Sequence, residues 1–162
     1  MNIFQFLTDH AIPYERHDHA AVFTCGAAEK DLRSDLAGAH TKNLFLRDKK
    51  GKRHFLVTVG YDKNVDLGSL KEQLNTTKLG FGSADRLKDH LGVEPGSVSL
   101  LGLVNDPDHR VEVVIDEAVW NADAVLCHPL INTATLVIPH HGLETFLQAT
   151  GHEVQVMDVP SR

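Results

Sequence analysis

Cysteine is scarce in these 162 residues: there are two, Cys25 and Cys127, with no CxxC spacing. That excludes a disulfide framework or a cysteine-ligated zinc site as the source of stability, and it suits a reducing, cytoplasmic setting. No run of about 18 apolar residues occurs, and the first ten residues lack both the basic start and the apolar length of an export signal. Neither a membrane partner nor secretion is expected. Positive charge is short as well, with 16 Lys and Arg against 22 Asp and Glu and a net charge of -6. Such a chain has no global basic field, which argues against a DNA partner and limits any RNA contact to a small patch. The GxSxG elbow, the P-loop and the Rossmann fingerprint are missing, and neither cysteine has neighbours that mark a thiol nucleophile. What is present is chain enough for one domain, residues 1–162, able to bury roughly two thirds of its unfolded surface without a metal or disulfide.

Histidine, by contrast, is plentiful at 11 residues. Two clusters invite a metal, His17-Asp18-His19 on a strand and His140-His141 at a helix start, but neither is followed by HExxH or an evident third ligand, so exposed or capping histidines are expected. Asp106-Pro107-Asp108 reads as turn chemistry before it reads as a cation loop. Cys127 and His128 are adjacent on a strand and point to opposite faces, which makes Cys127 a core residue. No metal and no cofactor are expected.

The elements follow from periodicity and caps. Asn2 caps a helix over 2–10 that closes before Pro13, and a short strand is expected at Tyr14–Arg16. Thr24 begins a helix ending near Gly38. Further helices are predicted at 66–74, at 83–92 with a cap at Ser83 and a glycine at Gly92, and at 142–149. Gly80-Phe81-Gly82 reads as a turn. Strands are predicted at 97–101, 111–115, 124–127, 135–138 and 154–156. The fold class is α/β (α+β), a mixed sheet with short helices packed outside.

One segment stands out. Lys42-Asn43-Leu44-Phe45-Leu46-Arg47, a polar loop with Gly51, and Arg53 to Val59 form a hairpin pattern. Five of the eight residues from Arg47 to His54 are Lys or Arg, which marks the tip. Lys42 and Asn43 stand at the far end, where the strand enters the core. Taken alone, Lys42 reads as a strand-start lysine whose stem covers apolar surface.

The hairpin segment TKNLFLRDKKGKRHFLVTV, then GVEPGSVSLLGLVND, then CHPLINTATLVIP, preceded by IPYERHDHAAVFT, resembles the YbaK and prolyl-tRNA-synthetase-associated editing domains, and most closely their freestanding members. The match spans nearly the whole chain. It implies a barrel-like sheet and hydrolysis of mischarged aminoacyl-tRNA. Lys42, Asn43 and His128 become the catalytic candidates. The substrate side falls to Val22, Phe23, Thr24, Leu44, Gly96, Ser97, Asn132 and Thr133. Lys49, Lys50, Lys52 and Arg53 at the hairpin tip become the tRNA-binding candidates. Leu100 stands where the family's GxxxP loop, beginning here at Gly96, carries its proline; by itself Glu94-Pro95-Gly96-Ser97 is a β-turn into a strand.

An aminoacyl ester is already activated, so such a site needs to hold it, donate to its carbonyl oxygen and admit water. A neutral histidine and an amide suffice, which fits the lack of a carboxylate dyad. The expected function is a trans-editing deacylase for Ala-tRNA(Pro), with the acceptor end of tRNA as partner and prolyl-tRNA synthetase as a further one. A deacylase for serine or cysteine, or a tRNA- or synthetase-binding module without turnover, would use the same fold.

Overall fold

The computed structural model describes residues 2–19 and 38–162, so the helix expected from Thr24 lies outside the described residues. Helix α1 (Ile3–Asp9) starts where the Asn2 side chain accepts from the amides of Phe4 and Gln5, and it buries Ile3 and Leu7. Strand β1 (Glu15–Asp18) follows. Strands β2 (Thr41–Arg47) and β3 (His54–Gly60) form the predicted antiparallel hairpin, with Lys42 opposite Val59 and Asn43 opposite Thr58. Its turn closes on Asp48, which accepts from the amides of Lys52 and Arg53, and Gly51 supplies the positive φ of 69°.

Helix α2 (Leu67–Gln73) is capped by Asp66. Gly80-Phe81 is strand β4, where a turn was expected; it pairs with the outer edge of β2, Leu46 opposite Phe81. Helix α3 (Ala84–Leu91) has both predicted caps, Ser83 accepting from the Arg86 amide and Gly92 at φ 68°. The strand expected over 97–101 is replaced by two 3-10 turns, Pro95–Ser97 and Leu100–Asn105. Pro95 starts the first, and the Ser99 hydroxyl caps the second by accepting from the Leu101 amide. Leu100, Leu101 and Leu103 are all buried, and a short continuous apolar run has no period by which to tell strand from helix. A Cβ on Gly102 would sit 3.2 Å from that of Leu91, so glycine lets this turn lie against α3.

Strand β5 (Val111–Asp116) leads into a short helix α4 (Glu117–Trp120) that the sequence did not announce. Strands β6 (Ala124–Cys127) and β7 (Ala134–Pro139), helix α5 (His140–Thr150) and strand β8 (Val154–Met157) complete the described chain. Asp106 makes the predicted turn, its carbonyl accepting from the His109 amide and its carboxylate from the amides of Arg110 and Val111.

Five strands form one mixed sheet in the order β4-β2-β3-β5-β8, with β3-β5 and β5-β8 parallel. Three form a second, in the order β1-β7-β6. The mixed sheet with outer helices is as expected; among the described residues it does not close into a barrel, and the two sheets meet at one parallel bridge, Ala39 with Val125. The larger apolar cluster lies on the face of Phe45, Leu56, Val113, Val125 and Leu136, under α1, α3 and α5. A smaller one packs Leu46, Phe55, Val57 and Val59 against Leu70 and Leu74. Strand β3 is therefore covered on both faces, which is why Phe55, Leu56, Val57 and Val59 are apolar on both sides of the alternation.

Candidate active site

The seam between the two sheets sets the site. The Ala39 amide donates to Ala124 O at 2.8 Å, the Leu126 amide to Ala39 O at 3.1 Å, and the Thr41 hydroxyl to Leu126 O at 3.1 Å. Asn43 and His128 each lie two residues beyond that last contact, so the seam brings them to one level. Past it, β6 ends at Cys127, and Leu130 adopts a left-handed φ of 69° in the turn to β7. Among the described residues no strand pairs with the outer edge of β2 between Ala39 and Leu46. The Gly82 amide donates to Phe45 O at 2.9 Å, so Phe45 turns its carbonyl to that edge, and Asn43, two residues earlier, turns its backbone groups the same way.

Side chains alternate across this edge. Thr41, Asn43 and Phe45 share the face of the larger cluster, whereas Lys42, Leu44 and Leu46 take the opposite face, the one that carries Leu126 and His128 across the seam. The structure thus brings Lys42 and His128 to one side and places Asn43 on the other. Asn43 is held: the Thr58 hydroxyl donates to its Oδ1 at 2.6 Å, and its Nδ2 reaches Val98 O at 3.5 Å. That second contact brings the Gly96–Ser97 turn to the same place. Lys42 is half-buried, and its side chain forms no hydrogen bond or ion pair with any described residue.

His128 is half-buried, and its Nδ1 lies 3.2 Å from Ala134 O. A carbonyl only accepts, so this bond puts the proton on Nδ1 and leaves Nε2 an acceptor with no partner among the described residues. Burial above all, and then His19, lower its pKa against the opposing pull of the Ala134 carbonyl, so the imidazole is held neutral. His19 is the residue that sequence reasoning weighed only as a metal ligand. Its ring stands edge-on to His128 at 6.4 Å, its Nε2 is 2.9 Å from the Thr135 hydroxyl, and its amide donates to Thr133 O. The IPYERHDHAAVFT segment held the signal, but the strand pairing that places His19 beside His128 is not visible in sequence.

The other candidates fall as follows. Leu44 packs against the smaller cluster, on the face of Lys42. Asn132 is half-buried and Thr133 exposed in the turn between β6 and β7. Val22, Phe23 and Thr24 lie outside the described residues, as does Cys25. Cys127 is in the core, its thiol pushed up to about 12 by burial, which makes it inert as a nucleophile. Lys49, Lys50 and Lys52 are exposed at the hairpin tip. Arg53 is committed elsewhere: its guanidinium holds Glu112 through two bonds of 2.9 and 2.8 Å, reaches Asn75 O and covers the Phe55 ring. Among the described residues no three His, Cys, Asp or Glu side chains gather as a metal would need. His140 lies 3.0 Å from Glu144, in a cleft of about 320 Å³ with Trp120 and Asp123, at the far end of the β6-β7 pair from His128.

Comparison with known proteins gives this geometry a context. Residues 19–146 match the model of the aminoacyl-tRNA editing domain. The chain is 36% identical to the prolyl-tRNA editing protein ProX of Acetoanaerobium sticklandii over 94% of its own length and 93% of that protein. It is 35% identical to the prolyl-tRNA synthetase associated domain-containing protein 1 of Mus musculus, covering 91% and 89%. A crystal structure of a hypothetical protein superposes with a TM-score of 0.75 at 19% identity over 98% of this chain and 99% of the other, which shows a shared fold.

Proposed function

The chain belongs to the aminoacyl-tRNA editing domain family and is an aminoacyl-tRNA hydrolase, and we propose that it acts in trans on Ala-tRNA(Pro), with Lys42, Asn43 and His128 forming the site. The observation that carries this reading is the acceptor Nε2 of a neutral His128, without a partner among the described residues, at the level of Asn43 on the open edge of β2. Water adds to the ester carbonyl carbon, the carbonyl oxygen takes up the charge, and the ribose oxygen leaves as the tetrahedral species collapses. Outward backbone groups at Asn43 supply a donor for the developing oxyanion, and its side chain, tied to the Thr58 hydroxyl and reaching Val98 O, holds that donor and the neighbouring turn in place. His128 Nε2 accepts a hydrogen bond from the attacking water or from the free ribose hydroxyl and so orients it. Lys42, on the same face as His128, meets the negatively charged terminal nucleotide. The free ribose hydroxyl passes the water's proton on to the departing ribose oxygen, or hydroxide attacks in place of water and the departing oxygen takes the proton of the new carboxylic acid, so no carboxylate pair is required.

The amino-acid choice follows from a second sieve. A proline pocket rejects alanine weakly, since missing methylenes are worth about 1–3 kcal/mol each, so a separate site that excludes proline by size must clear the smaller product. Val22, Phe23 and Leu44 are the proposed walls, and Gly96 and Ser97, held near Asn43 through Val98, border the ester. The relative named for prolyl-tRNA editing supports proline as the tRNA identity. Deacylation of tRNAs charged with alanine, serine, cysteine and proline tests the reading: Ala-tRNA(Pro) should be cleared fastest and Pro-tRNA(Pro) spared. Preference for serine or cysteine would reassign the pocket, and absence of turnover on every ester would leave a binding module.

A further inference from the structure

We propose that Phe81 is a stacking platform for an unpaired base of the tRNA acceptor end, on a track that runs along the outer edge of β2 into the site. The inference rests on the reading of the site as one for aminoacyl-tRNA and adds a residue that neither the motifs nor the relatives point to.

Phe81 is the most exposed of the large hydrophobic residues described, at 62%. Its presentation is built. It sits between two glycines in a strand two residues long. Leu46 is its partner in register, and the Gly82 amide donates to Phe45 O at 2.9 Å. Gly82 is packed so tightly that a Cβ there would clash with the Phe45 ring, so the backbone after Phe81 is clamped to β2 and the ring is left outside. A ring with no core to serve, fixed to a sheet edge, is the form that sequence-tolerant base stacking uses.

Its place on the sheet decides the partner. Opposite residues of an antiparallel pair point to one face, so Phe81 shares the face of Leu46, and by alternation that of Leu44 and Lys42. This is also the face of His128 across the seam. Lys42 and Leu46 are four residues apart on β2, about 13 Å, which is the span of roughly four nucleotides stacked 3.4 Å apart. The unpaired 3′ end of a tRNA has that length. Charge agrees: between residues 39 and 61 and between residues 73 and 84 the sole carboxylate is Asp48, and it is buried in the hairpin turn, whereas Lys42, Lys49, Lys50, Lys52 and Lys78 lie along the same stretch. In a chain of net charge -6 this is a local excess of positive charge beside Phe81, bounded in sequence by Asp62, Glu72 and Asp85.

Two measurements test the proposal. In steady-state deacylation of Ala-tRNA(Pro), Phe81→Ala should raise KM roughly 5- to 150-fold with kcat within about twofold, and Phe81→Trp should restore KM. In a turnover-free arm, a single-stranded RNA ending in CCA should quench the added tryptophan of Phe81→Trp, at concentrations that leave the Trp120 signal of the parent protein unchanged. Unchanged KM in Phe81→Ala, or no quench in Phe81→Trp, overturns the proposal. So does a dimer that Phe81→Ala converts to a monomer, which would make Phe81 a contact between copies. Quenching in a protein that deacylates no ester would sink the deacylase reading and keep the track.

Discussion

At the residue scale, the side chains of the candidate site differ in what each is tied to. Lys42 has no described partner, so Lys42→Ala should remove most of the deacylation rate while moving the melting temperature by no more than a few degrees; equal loss of both would return Lys42 to a covering role on the strand. Asn43 is the opposite case. Thr58 is fully buried and its hydroxyl serves the Asn43 carbonyl oxygen. Thr58→Val should therefore lower stability by about 1–3 kcal/mol in urea unfolding and lower kcat as Asn43 is freed. A variant of full activity would show that Asn43 needs no such fixing. The lowered pKa of His128 keeps it neutral from its ordinary value of 6.5 upward, and its role is to accept and orient. The log of the deacylation rate should then rise with pH as hydroxide does, with no break near 6.5. An inflection there that vanishes in His128→Ala would make it a general base.

At the scale of elements, the hairpin, the caps at Asn2, Asp66 and Ser83 and the glycine stop at Gly92 were legible because each is local chemistry read from neighbouring residues. The 3-10 turns around Leu100 and strand β4 were not, since an apolar run without period and a Gly-Phe-Gly triplet take their form from tertiary packing against α3 and Phe45. For the candidate site, Lys42, Asn43 and His128 are named by motif resemblance alone. Their division between two faces, and the presence of His19, follow from pairings of residues far apart in sequence. The contact between β3 and α3 carries a prediction of its own. The rings of His54 and His90 stand 4.0 Å apart, and Arg86 and Arg110 donate to their Nε2 atoms. Burial first, then His90 and the two arginines, lower His54 to about 4. The unfolded chain takes up this proton at 6.5 and the folded one does not, so the His54 contribution is full above pH 6.5 and is lost as pH falls toward 4. The urea midpoint should drop through that window, and the drop should shrink in His54→Phe, which keeps the stack on Phe45. An equal drop in both would assign the acid sensitivity to other groups.

At the scale of the molecule, a net charge of -6 and one small basic tip leave few phosphates to neutralise. The KM for tRNA should rise gently with salt, with a log-log slope of roughly 1 to 3. Changing Lys49, Lys50 and Lys52 together to Ser should raise KM for all tRNAs alike and leave the preference for alanine over proline intact. Collapse of that preference would mean that the tip shapes the pocket. The family, the mixed sheet and the outer helices were readable from the sequence, whereas the seam between the two sheets was not, because the bridge of Ala39 with Val125, the one found there among the described residues, leaves no periodic trace. The account stands most directly on one measurement, the rate at which the protein clears Ala-tRNA(Pro) beside Pro-tRNA(Pro), taken again for Asn43→Ala and His128→Ala. It predicts rapid loss of alanine, persistence of proline and a large fall in rate in both variants that keep their melting temperature; equal clearance of the two esters, or full activity in folded variants, would contradict it.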